Sequence, residues 1–300
     1  MAHYLDPKND LTFKRIFGEH EELCMSLLNS MLPLEEKQQI VGLQYRSSEL
    51  IPEIPLLKDS IVDVCCTDNY GRQFIVEMQM LWTTSFKHRV LLNASKAYVR
   101  QLDSGTDYRL VQPVYALSFV NDTFDPDPSV YYHDYKIVNI ENVEKQIEGL
   151  ELVFIELPKF RPTNRAEKKL YDLWLTFLTD IKAGSEQVPP ELLEEKATSD
   201  AVKYLERHSY TKAELNTYDK YLDIILTTRT YYADALAKGM AKGMAEGRAE
   251  GIAEGREKNL IEAVINGMRR GFSLEQIQAF TGLSRERIKE ILDSNDELKQ

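Results

Sequence analysis

The chain has 300 residues, 43% of them hydrophobic and 28% charged, which suits a globular protein with a core of ordinary size and room for an appendage. Its three cysteines, Cys24, Cys65 and Cys66, are odd in number, and two are adjacent in an apolar run. That argues against a disulfide framework or a zinc site and for buried free thiols in a reducing cytoplasm. A net charge of −11 weighs against a nucleic-acid partner unless local basic surface or metal ions offset the acidic field.

The opening MAHYLDPKNDLTFKRIF has no basic segment leading into an apolar one, and no apolar stretch approaches the roughly 18–20 residues that span a bilayer. The expectation is a soluble cytoplasmic protein with no membrane partner. Residues 8–32 read as a helix, with Phe13, Ile16, Phe17, Leu23, Leu27, Leu28 and Met31 at three- and four-residue steps and Pro33 closing it. A weak strand signal lies at Ile40–Arg46. Ser60–Cys66 and Phe74–Met80 read as strands joined by the turn-rich Asp68-Asn69-Tyr70-Gly71, hence as an antiparallel hairpin.

Helical spacing returns with Phe86, Val90, Leu91, Ala94, Ala97, Tyr98 and Leu102, and ends at Ser104-Gly105. Val111–Val120 reads as a buried strand, with further β-like segments at Tyr131–Ile140 and Leu152–Leu157. This order predicts one α/β layer domain over residues 1–160. From about Arg165 the pattern is helical: a helical region over 161–236 is followed by KGMAKGMAEGRAEGIAEG, a helix or linker over 237–258. Glycine recurs there at 239, 243, 247, 251 and 255. Each helix-interior glycine costs about 1 kcal/mol relative to alanine, so five cost on the order of 4–5 kcal/mol. Two readings stay open: a small-residue stripe that lets a second helix approach closely, making a homo-oligomer, or a flexible tetrapeptide expansion. Residues 259–300 form a small helix-turn-helix-like cap, with capping residues Ser273 and Ser284 and a small core of Ile277, Phe280, Leu283, Ile288 and Leu292. Arg285, Arg287 and Lys289 share the last helix with Glu286, Glu290 and Asp293, which favours an interaction cap over base readout.

A carboxylate inside an apolar strand is the informative feature. A buried charge without a partner costs several kcal/mol, so it pairs or binds metal. Asp63 and Glu77 lie seven residues either side of Tyr70, so a hairpin turning there places them opposite or one position off. Such cross-strand pairs have Cβ atoms about 4.5–5.5 Å apart. Gln79, two residues on, shares the face of Glu77. An oxygen-rich set of this kind suits Mg²⁺, with Mn²⁺ as an alternative, and phosphodiester hydrolysis is the chemistry that uses it. The competing reading is a buried acid pair satisfied by Arg or Lys with no catalysis. Asp10 and Lys14, four apart on one helical face, read either as a surface ion pair or as an acid aimed at the metal.

Asn9–Phe17, Lys58–Val64, Asp68–Gly71 and Ile75–Gln79, followed by Phe86, Arg89, Tyr98, Gln101–Tyr108 and the Pro113-Val114 strand, resemble the Rpn family of recombination-promoting nucleases and transposases in the PD-(D/E)XK superfamily. The resemblance covers roughly residues 6–125. It implies a restriction-endonuclease-like core, a mixed sheet flanked by helices, followed by an all-helical C-terminal region. It also implies an Mg²⁺-dependent deoxyribonuclease acting on DNA in recombination or mobile-element biology. Asp63 falls on the family's motif acid and Glu77 on its second acid, with both as metal ligands. Gln79 falls where the wider superfamily carries Lys, and Asp10 on the acid of the N-terminal helix motif, which makes these four the catalytic set. A neutral amide hydrogen-bonds but adds no charge, so turnover is slow or another group supplies the charge. Lys14, Arg89, Lys96 and Arg100 are the DNA-contacting candidates. A second reading stays open: a nuclease fold of weak or lost activity that serves as an oligomerising interaction module.

Overall fold

The structure, a computed structural model, describes residues 3–50, 60–102, 107–162 and 169–294, without the side chains of Leu50 and Ser60. Two compact units divide the chain, Met1–Thr227 and Thr228–Gln300.

In the first unit, α1 (Asp10–Glu19) starts where the Asn9 side chain accepts from the Leu11 N–H at 3.0 Å, and α2 (Glu21–Met31) follows at once. The single helix expected over 8–32 is therefore two. His20 is extended at the junction and stacks on Tyr204 at 3.9 Å. Apolar spacing cannot reveal the break, because both helices bury their apolar residues in the same core. Short β1 (Leu43–Tyr45) and β2 (Glu49–Leu50) come next.

The strand expected over Ser60–Cys66 is also interrupted. β3 (Ser60–Ile61) pairs with β2, whereas β4 (Val64–Asp68) pairs antiparallel with β5 (Gln73–Gln79). Val62 donates its N–H to Ser48 O, which draws the chain away from β5 just before Asp63. The hairpin turn is closed by Asp68, whose Oδ1 accepts from the Tyr70 and Arg72 N–H groups, and by Gly71 at φ +84°, a conformation that favours glycine.

α3 (Phe86–Val99) follows, and the expected end of its pattern at Ser104-Gly105 lies outside the described residues, as does Lys58-Asp59. Then come β6 (Val114–Val120), β7 (Tyr132–Asn139) and β8 (Asn142–Glu156). β8 begins ten residues before the expected Leu152 because its first half is an exposed polar hairpin arm with β7, without a hydrophobic pattern to mark it. The sheet order is β1-β4-β5-β6-β8-β7; β5, β6 and β8 run parallel and the other pairings are antiparallel. This is the mixed six-stranded sheet flanked by helices of a restriction-endonuclease-like fold.

One sheet face packs on α1, α2, α4 (Leu170–Asp180) and α6 (Lys196–Lys203), with the four-residue α5 (Glu191–Glu194) between the last two. Trp174 is the largest side chain sealed in that core, edge-on to Phe17 and Phe177. The other face packs on α3 through Val62, Cys65, Ile75, Phe86, Val90 and Phe154. The three cysteines are free and buried.

Helix α7 (Lys212–Arg269) continues through the Gly/Ala repeat. A Cβ added at Gly239, Gly243, Gly247, Gly251 or Gly255 would meet nothing within 4 Å. In the second unit, α8 (Leu274–Thr281) has the capping box at Ser273 and α9 (Arg285–Ser294) starts at Ser284, whose hydroxyl accepts from the Arg287 N–H. Its core is Val264, Ile277, Ile288 and Ile291, with Leu283 and Leu292 partly buried. Phe280 is not in that core: it is 53% exposed beside Phe272. Gly267 accounts for its position, since a Cβ there would lie 3.0 Å from Ile277 and 3.1 Å from Phe280, so α8 sits against a bare stretch of α7.

Candidate active site

The β4–β5 register pairs Val64 with Val76, so Asp63 stands one residue beyond the ladder, at the level of Glu77. Here the side chain replaces the backbone: Asp63 Oδ2 accepts from the Met78 N–H at 2.7 Å, where the pairing of the two strands has ended. Glu77 and Gln79 lie on the α3 face of β5 with Ile75. The carboxylates thus meet at the open end of the hairpin, Asp63 with a 22% exposed side chain and Glu77 with 6%.

Two cations face the acids. Lys14 Nζ is 2.6 Å from Asp10 and 3.7 Å from Asp63, so the N-terminal helix delivers a carboxylate and an ammonium together. Arg89, from the first turn of α3, has Nη2 3.5 Å from Glu77 Oε2 and donates to Gln79 Oε1 at 2.6 Å. One turn further on, Asn93 donates to Glu77 Oε1 at 3.0 Å. Gln79 Nε2 in turn donates to Leu81 O at 2.5 Å, which fixes the amide with its oxygen toward Arg89.

Burial is the first cause that pushes both carboxyls above their ordinary range. For Asp63 the Met78 N–H and Lys14 oppose it, and for Glu77 the Asn93 amide and Arg89 do. A neighbouring acid adds to each: Asp63 raises Glu77, and Asp10 raises Asp63. Lys14 is held above its usual value by Asp10 and Asp63 in spite of burial, which alone would lower it. Among the described residues three acids therefore share two cations, an excess of negative charge at a half-dry site.

Among the described residues, no three His, Cys, Asp or Glu side chains form a ready-made metal cage. The donor set nevertheless fits a hard divalent cation. Mg²⁺ is commonly held by one or two carboxylates, its other positions going to water and substrate phosphate.

Sequence reasoning finds the acid pair, Gln79, Asp10 and Lys14, and the structure brings these together with Arg89. Arg100 lies elsewhere. Arg100 is eleven residues beyond Arg89, about 16 Å along the helix axis, and lines a different cavity with Arg46, Thr67 and Gln73. Three neighbours escaped the sequence reading. Asn93 looks like one more polar residue on a helix, yet it is 1% exposed and touches Glu77. Ser118, in register with Glu77 on the parallel β6, is equally buried, and its Oγ and Asn93 Oδ1 have no protein partner among the described residues. Tyr221, on the first turns of α7, feels Asp10 and Asp63, and burial keeps its phenol protonated far above the usual range. Only Asn93 carried a legible signal, as a polar residue four positions after Arg89 on the same helical face.

Residues 7–232 match the family model of the PD-(D/E)XK nuclease family transposases. No curated protein and no solved structure gives a match.

Proposed function

Because the chain belongs to the PD-(D/E)XK nuclease family transposases, we propose that it is a Mg²⁺-dependent DNA endonuclease that works in the cytoplasm on recombination or mobile-element DNA. The observation that carries this is the under-compensated pair Asp63 and Glu77 at the mouth of the hairpin, each above its ordinary carboxyl range through burial.

Asp63 and Glu77 would hold the Mg²⁺, with Mn²⁺ as an acceptable substitute. A divalent ion bound there would lower the pKa of a water, offset charge on a phosphate oxygen and steady the leaving group. The chain's own residues do the rest. Met78 N–H fixes the Asp63 carboxylate, and Asn93 fixes that of Glu77. Gln79 adds no charge, but its oxygen holds Arg89 at the site, so the guanidinium supplies the positive group that an amide cannot. Asp10 acts through Lys14, which it orients toward Asp63. Lys14 and Arg89 are then placed to meet DNA phosphate once a divalent ion has taken over the two acids.

The test is supercoiled plasmid with Mg²⁺. The wild-type protein nicks or linearises it, and Asp63→Ala and Glu77→Ala do not. Persistent cutting by both variants sinks the assignment.

The open glycine faces of α7 support a second property, homo-oligomerisation through the repeat. It also belongs to the alternative of a catalytically silent interaction module. A chain ended before Ala237 should sediment with fewer subunits per particle than the full chain. If it does not, the repeat is cleared of that role.

A further inference from the structure

The site's flank on the α3 side carries a lysine held in an unusual way. Lys87 Nζ lies 4.5 Å from the centroid of the Phe124 ring, 5.1 Å from that of Tyr135 and 5.7 Å from that of Trp82, and it donates to the Tyr135 hydroxyl at 2.9 Å. Among the described residues no carboxylate stands within ion-pair distance of it. Lys14, Lys136 and Lys159, by contrast, each sit on an acid. Rings attract an ammonium through their quadrupole without carrying a charge, so they orient it and leave its full charge for an outside anion.

The rings are themselves pinned. Trp82 stacks on Phe124 at 4.1 Å, and its backbone N–H donates to Asp122 Oδ2 at 3.0 Å. The Phe124 N–H donates at 2.8 Å to Glu156, a fully buried carboxylate that also receives His133 and Lys159. A lysine side chain loses rotamer freedom when a ligand fixes it. Here the fold has already fixed it, and among the described residues no acid pairs with it.

Position gives the ligand. Lys87 and Arg89 share the first turn of α3 but, two residues apart, leave it in different directions: Arg89 to Glu77 and Gln79 on β5, Lys87 to Phe124 and to Tyr135 on β7. Trp82 follows Gln79 by three residues at the exit of β5. We infer that Lys87 is a preorganised binding site for a backbone phosphate of the DNA being cut, away from the phosphate at the acid pair. This rests on the nuclease reading above and adds a substrate contact to it.

The test uses Glu77→Gln protein in EDTA, so that binding is measured without cleavage, with a short fluorescein-labelled duplex titrated across a range of NaCl. One lost phosphate contact lowers the slope of log K against log salt by about 0.9, a loss of about eightfold at 0.1 M salt that closes toward 1 M. Adding Lys87→Met, which keeps the stem against the rings and removes the charge, should give that change. Lys87→Gln should match it, and Tyr135→Phe should weaken binding less while leaving the slope intact. A merely structural lysine would alter melting temperature and not the salt slope. If the parent binds DNA and both Lys87 variants keep its slope and affinity, the phosphate assignment falls alone. If the parent fails to bind DNA at all, the nuclease reading falls and takes this one with it.

Discussion

Asp68 and Glu77 sit at opposite ends of one hairpin, 7% and 5% exposed, and the fold treats them differently. Asp68 accepts from two backbone N–H groups and holds the Arg72 guanidinium at 2.6 and 2.7 Å, while Arg72 spends another donor on Gln38 O. Glu77 has one amide at 3.0 Å and an arginine no nearer than 3.5 Å, shared with Gln79. A buried carboxylate whose lone pairs are all taken by its own chain stabilises a turn and has nothing left for a ligand. One that is buried, raised in pKa and loosely matched keeps capacity for a cation from outside. Burial is nearly equal at the two ends, so the quality of internal pairing is what separates structural acids from chemical ones.

The sharpest way to break this contrast is to delete each acid in turn. Glu77→Ala should lower cleavage by about a thousandfold, since metal-borne charge stabilisation is worth several kcal/mol, while the protein stays folded. Asp68→Ala should do the reverse. Removing one partner of a buried pair costs about 3–5 kcal/mol, read as a lower urea midpoint, with cleavage per folded molecule unchanged. An Asp68→Ala protein that melts normally but cannot cut would erase the distinction.

How much of this was legible beforehand follows the same line. The hairpin, the acid pair and the α3 pattern show in the sequence because continuous apolar runs bracket Asp63 and Glu77 at equal distance from the turn, which places them opposite or one position off. The break at Val62 does not show, since it depends on which edge captures the chain, a tertiary choice made by the Ser48 carbonyl. Nor does the separation of Arg100 from Arg89: helical spacing puts both near one face but is silent on distance from the strand ends. Lys87 was hidden for a related reason. The rings around it come from three separate segments, at Trp82, Phe124 and Tyr135, and no local pattern announces that they meet.

A smaller effect sharpens the comparison on the Glu77 side. Arg89→Met and Asn93→Ala leave both carboxylates in place but loosen one of them. Partners of metal-binding groups typically contribute 10- to 100-fold, so cleavage should fall by about that factor, with the lost activity partly regained at higher Mg²⁺. Arg72→Met at the other end should leave the Mg²⁺ requirement untouched. A shift in that requirement would mean that the two ends of the hairpin communicate.

The smallest effect is thermal, and its sign is fixed by the direction of the carboxyl shifts. Asp63 and Glu77 hold their protons to higher pH in the folded chain than in the unfolded one, chiefly through burial. Their contribution to stability is therefore complete below the unfolded carboxyl range near pH 4 and is lost as pH rises through the folded values. Without metal, Glu77→Gln should melt above wild type at neutral pH, and the gap should close toward pH 4. Divalent cation acts in the opposite direction because it binds the deprotonated pair. At tenfold over its dissociation constant it stabilises by about 1.4 kcal/mol, a rise of roughly 3–5 °C for a unit of this size. Wild type should show that rise in Mg²⁺ at neutral pH and lose it on acidification, and Glu77→Gln should show little of it at any pH. An equal rise in both proteins would place the cation away from Glu77, and the loosely paired end of the hairpin would then be no more chemical than the tightly paired one.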